Sequence, residues 1–198
     1  MFALVDKSDN SITKMLNGNK GITLGDNQYP RAIFTLWTEA ERNAINIYEV
    51  TIDTSKRKDE QWYINTNITY SFDGTNATGS YGDATAKAHA DTLYTAQDET
   101  DGLGTEGDVR TEGLKTILIR QVKNDAEREL NKTDWYVTRK AEKNTAIPSA
   151  ITTHRDAVRT KQDSMCTAIT NASDTPALET LYTRDEDGAR PLAEIPTL

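Results

Sequence analysis

Residues Glu127 to Arg159 read ERELNKTDWYVTRKAEKNTAIPSAITTHRDAVR. This stretch joins the end of one amphipathic helix to the start of another through a turn that carries Trp135 and Tyr136. Upstream, Leu114, Ile117, Leu118, Val122, Ala126 and Leu130 recur at spacings of three and four, the apolar stripe of a helix of about 20 residues. Its wet face carries Lys115, Arg120, Lys123, Asp125 and Glu129. Downstream, a helix starts at Pro148, whose missing amide hydrogen costs nothing there, and runs through Ile151, His154, Val158, Met165 and Ile169. The two stripes face each other or a partner chain. Asp134 is expected to cap a short helix through DWYVTRK, a role preferred over pairing with Arg139 or Lys140. Asp174-Thr175-Pro176 opens a third helix, PALETLY, and an extended tail follows.

The first 81 residues read differently. FALVD at 2–6 and SITKML at 11–16 flank a Lys/Ser/Asp/Asn turn, as in a hairpin. Thr38 caps a short helix, TEAERNA, with Glu39 and Glu41 suited to its positive end. NIYEVTIDT alternates, giving one buried and one wet face. WYINTNITYSF at 62–72 alternates again, placing Trp62, Ile64, Ile68, Tyr70 and Phe72 on one side. Asp73-Gly74 then breaks it and GSY at 79–81 returns as a partner strand. From Asp83 to Tyr94 the alanine-rich pattern is compatible with a helix. TAQDETDGLGTEGD holds almost no bulky apolar residue and reads as a linker.

The expected fold is therefore α+β: a small, mostly antiparallel β-rich domain over 1–94, an acidic linker over 95–108, a helical hairpin domain over 109–183 and a tail over 184–198. With 36% hydrophobic residues, each half is marginal alone, so self-association or a multi-subunit assembly is expected. The formal net charge of −8 sets nucleic acid and anionic lipid aside as main ligands. MFALVDKSDN lacks the features of a signal peptide and no run reaches the ~20 apolar residues of a bilayer span, so a soluble cytoplasmic product is expected. The single cysteine, Cys166, reads as a buried small hydrophobe.

Motifs of catalysis and ligand binding find little support. Gly102, Gly104 and Gly107 match GxGxxG, but no strand precedes them and the acidic surroundings repel a pyrophosphate. His89 and His154 lack the spacing of a helical metal pair, and His154 reads as a core or interface residue. Asp98–Asp101 and Asp185–Gly188 lack calcium-loop spacing, and no GxSxG elbow occurs. No cofactor or metal is expected, and enzyme status has no positive support. Trp37 and Trp62 read as core residues, whereas Trp135 and Tyr136 divide evenly between core and interface.

The segment LNKTDWYVTRKAEKNTAIPSAITTHRDAVR resembles the C-terminal helical module of the tail assembly chaperones and tail-fibre assembly proteins of tailed bacteriophages. Thr133-Asp134-Trp135, Ile147-Pro148, and Arg155 with Arg159 occupy the places of that family's motif, and His154 stands where the family has tyrosine. YPRAIFTLWTEAERNAINIYEV looks like the front end of such proteins. The resemblance implies a non-catalytic protein that binds tail-fibre or other tail proteins. It would act in the host cytoplasm during assembly or stay on the virion tail. The expected contact residues are Trp135, Tyr136, Leu114, Leu118, Val122, Ile151, His154 and Val158. The alternative is a carbohydrate- or receptor-binding module built on the β-rich half around Trp62 and Tyr63.

Overall fold

The computed structural model describes residues 1–198 and divides them into two compact units, Met1–Thr85 and Ala86–Leu198. The fold is α+β, with a strand-rich N-terminal unit followed by helices.

In the first unit, β1 (Phe2–Asp6) and β2 (Ser11–Leu16) form the expected antiparallel hairpin. Its turn is fixed by Asp6 and Asp9, whose carboxylates accept from the amides of Ser8 and Ser11. A smaller hairpin, β3 (Ile22–Leu24) and β4 (Asn27–Tyr29), precedes α1 (Ile33–Leu36) and α2 (Glu39–Ala44). Thr38 caps α2 as expected: its hydroxyl accepts from the Glu41 amide while the Glu41 carboxylate reaches back to the Thr38 amide. Strand β5 (Ile47–Asp53) runs antiparallel to β1 and parallel to a later strand, Ala77–Ser80. Then come β6 (Tyr63–Ile64), β7 (Thr69–Phe72) and β8 (Ala77–Ser80), the last two forming a hairpin around Asp73-Gly74. The main sheet has the order β2-β1-β5-β8-β7.

Because successive side chains on a strand point to opposite faces, β1 and β5 feed two apolar clusters. Ala3, Val5, Tyr48 and Val50 join Phe72 and Ala77 in one, and Phe2 and Ile47 join Leu16, Ile33 and Phe34 in the other. The alternation expected over 62–72 is broken. Trp62, Tyr63 and Phe72 are buried, but Ile64 and Tyr70 are exposed. Asn65 is the cause: its side chain donates to the Lys58 carbonyl and accepts from the Lys58 amide, drawing the chain out of a continuous strand.

The helix expected over 83–94 does not form. Strand β9 (Thr85–Ala86) falls on the boundary of the units, and β10 (Thr92–Leu93) follows. The carbonyls of Ala88 and His89 accept from the amides of Leu114 and Lys115, and the Asp91 carboxylate accepts from the Gly113 amide and the Thr116 hydroxyl. Those groups are therefore committed to the start of a later helix rather than to one of their own. The acidic stretch 95–108 is also more than a linker. It holds α3 (Ala96–Thr100), capped reciprocally by Thr95 and Asp98, and leads to β11 (Val109–Thr111), which pairs with β10. Local side-chain bonds supply the order that hydrophobic content does not.

Helix α4 (Leu114–Asn131) and helix α6 (Ser149–Asn171) pack together as a hairpin, with α5 (Asp134–Lys143) between them in sequence and α7 (Thr175–Tyr182) after them. Asp174 caps α7 by accepting from the Ala177 amide. The tail is not simply extended. Leu192 is buried, its amide bonds to the Leu181 carbonyl, and Arg184 and Arg190 both reach Glu194. Cys166 is only partly buried, and that burial raises its thiol pKa above the ordinary value. No helix is long and apolar enough to cross a membrane.

Candidate functional site

The turn between α4 and α5 is built around one cation. Arg155, nearly buried on α6, points a single terminal nitrogen at three acceptors. These are the Leu130 carbonyl at 2.9 Å, the Thr133 hydroxyl at 2.7 Å and the Asp134 carboxylate at 2.8 Å. That nitrogen carries two hydrogens, so the three contacts share them. The hydroxyl of Thr133, a residue 1% exposed, donates a hydrogen bond to the Leu130 carbonyl at 2.9 Å. The result fixes the direction in which α5 leaves the hairpin. Asp134 is thus not the cap expected for it. It is the first residue of α5 and pairs with Arg155, not with Arg139 or Lys140; Thr133 occupies the capping position and makes no side-chain cap bond.

Beside this clamp lies a second polar group. Glu129, expected on the wet face of α4, is 4% exposed. Its carboxylate accepts from Lys132 and from the Leu198 amide, and the His154 ring nitrogen sits 3.2 Å away. The hydrogen bond from Lys132 holds its pKa below the ordinary glutamate value against the opposing cost of burial, with the Leu198 amide and the charges of Lys132 and His154 adding to the effect. His154 is therefore half-buried and engaged with a carboxylate at the helix interface. No group of three or more His, Cys, Asp or Glu is arranged to hold a metal ion.

Of the residues expected to meet a partner, Leu114, Leu118, Val122, Ile151 and Val158 are buried within the helical unit. Of the two destinations open to the stripes, the helices take each other, and these five residues are not surface in this conformation. Trp135 and Tyr136 are different. Trp135 is 52% exposed, and its ring centroid lies 3.7 Å from that of Tyr136. The Arg139 guanidinium covers both rings, 4.8 Å from the first and 5.3 Å from the second. No residue of α5 is buried, and the Arg139 Nε lacks a hydrogen-bond partner.

Arg155 as a clamp and Glu129 as a hub are the two polar positions of this turn whose roles were not legible in the sequence. Both sit next to apolar stripe positions, which was the available signal.

In the first unit Trp62 and Tyr63 are buried, so neither ring is free to stack on a sugar; Trp37 packs edge-on against Tyr29 at 5.9 Å. A cleft of about 570 Å³ is walled by residues that include Leu4, Met15, Ile22 and Phe34, with Lys14 and Lys20 its charged members. No family model, curated protein or solved structure matches the chain.

Proposed function

We propose that this chain is a non-catalytic bacteriophage tail protein that binds tail-fibre or other tail proteins through α5 and acts in tail or fibre assembly. The observation that carries the reading is a helix of ten residues that buries none of them. Isolated helices this short are marginal in water, and most helical stability in proteins comes from packing of an apolar face. Here that face is turned outward. Trp135 and Tyr136 offer large, rigid contact area of the kind that dominates protein interfaces, and Arg155 fixes the end from which they project. The resemblance of the Thr133-Asp134-Trp135 segment supplies the class of partner.

Binding of purified tails or fibres to the immobilised chain tests this. Trp135→Ala is expected to weaken capture at least tenfold with the fold intact, and more than Trp62→Ala does in the fraction that stays folded. Tails that neither contain nor bind the protein would end the proposal. Mass spectrometry of mature particles separates a retained component from an assembly factor that leaves.

A further inference from the structure

Two surfaces of the helical unit are complementary to each other and stand at opposite ends of α4. At its C-terminal end, α5 carries Trp135, Arg139 and Lys143 at i, i+4 and i+8, with Tyr136 and Lys140 beside them. Arg139, Lys140 and Lys143 make no ion pair within the chain, although the chain is acidic overall. At its N-terminal end, the β10–β11 ribbon exposes Leu93 and Val109, 47% and 49% accessible. They are register partners, so the two side chains stand together on one face. Glu106 and Asp108 lie just before Val109 in the chain and pair with no cation, while Arg110 after it is held by Asp98. One surface is aromatic with unpaired cations, the other aliphatic with unpaired carboxylates in the chain just before it. The 18 residues of α4 separate them by about 27 Å, so one chain cannot bring its own two surfaces together.

We propose that the occupant of the α5 face is the β10–β11 ribbon of a second copy of this chain. The contact joins unlike surfaces, so it is heterologous: each added copy leaves one free α5 and one free ribbon, and the series closes into a ring or grows as an open array. In an open array the free α5 at one end is the surface left for a tail protein. The pairing of unsatisfied charges makes assembly sensitive to salt, because exposed pairs are screened within about a nanometre at physiological ionic strength.

The test uses the purified full-length chain with no tail protein present, so its outcome is separate from that of the binding assay above. Sedimentation velocity over a concentration series is expected to show self-association that weakens at least tenfold in 0.5 M NaCl. Trp135→Ala and Leu93→Asp each remove one surface at an exposed position and are each expected to be monomeric, with unchanged circular dichroism. Mixed, they are expected to form a one-to-one dimer and nothing larger, since each supplies the surface the other lacks. A wild-type chain that stays monomeric overturns the proposal. So does a Leu93→Asp chain that associates like wild type, which would mean α5 pairs with α5, or a mixture that gives no dimer.

Discussion

Replacing Arg155 by methionine removes the clamp while keeping most of the aliphatic stem that lies between the helices. The size of the loss follows from what each acceptor does next. The Leu130 carbonyl keeps the Thr133 hydroxyl as a donor, so it is not orphaned. Thr133 is fully enclosed and loses a donor to its oxygen, and a hydrogen bond involving a charged group contributes about 1.5–3 kcal/mol. The Asp134 carboxylate is half exposed, so water takes over its solvation and screening limits the ionic part to no more than about 1 kcal/mol. The expected cost is about 2 kcal/mol, or about 8 °C in Tm for a unit of roughly 110 residues. Urea unfolding followed by circular dichroism measures it. Hydrogen exchange should also show the amides of residues 134–143 losing protection beyond what global destabilisation explains, because the Arg155 clamp is what ties the start of α5 to α6. Asp134→Asn is expected to cost about 1 kcal/mol or less in the native background and nothing when Arg155 is already methionine. If Asp134→Asn costs the same in both backgrounds, Asp134 acts as a cap after all. If Arg155→Met leaves the midpoint unmoved, the clamp does not exist as an energetic unit.

Three other outcomes follow from the same contacts. Glu129 titrates lower in the folded chain than in the unfolded one, so its contribution is complete above about pH 5 and is lost as pH falls through the folded pKa. Urea midpoints between pH 3 and 7 should fall more steeply for the native chain than for Glu129→Gln, and parallel curves would refute the assignment. A Cβ on Gly113 would lie 2.3 Å from the Ala90 backbone, whereas one on Gly102 meets nothing and faces only an unfavourable φ of +72°. Thermal melts should therefore place Gly113→Ala well below Gly102→Ala, the latter costing about 1 kcal/mol. In the first unit, Trp62→Ala is expected to cost about 3–5 kcal/mol and Thr38→Ala about 1 kcal/mol, both read as shifts in the unfolding midpoint.

Where a residue's role was set by its near neighbours, the sequence made it readable. The α4 stripe through Ala126, the Pro148 start, the Thr38 cap and the Asp73-Gly74 hairpin all depend on spacings of four residues or fewer and stand as expected, whereas at the end of the stripe Glu129 is buried and Leu130 only partly so. What failed depended on distant partners. Asn65 left its strand to bond with Lys58, seven residues back, and the 83–94 segment gave up its helix to serve residues 113–116. The same reason hid the site. Asp134 looked like a local cap because Arg155, 21 positions on, cannot be assigned to it from sequence, and Glu129 looked solvated because Lys132, His154 and Leu198 converge on it only in three dimensions.

The start of α4 is served by atoms from another part of the chain. Three of the helices, α2, α3 and α7, are begun by the residue immediately before them. Helix α4 begins at Gly113, which has no side chain to offer, and borrows the carbonyls of residues 88 and 89 and the carboxylate of residue 91. A protease cut within 95–108 would leave every one of those bonds chemically intact but make them intermolecular, so the helix would then depend on how much of the severed fragment remains nearby. Diluting a nicked sample should melt α4 and its apolar stripe from the N-terminal end, an effect that dilution cannot have on the uncut chain's own helix start.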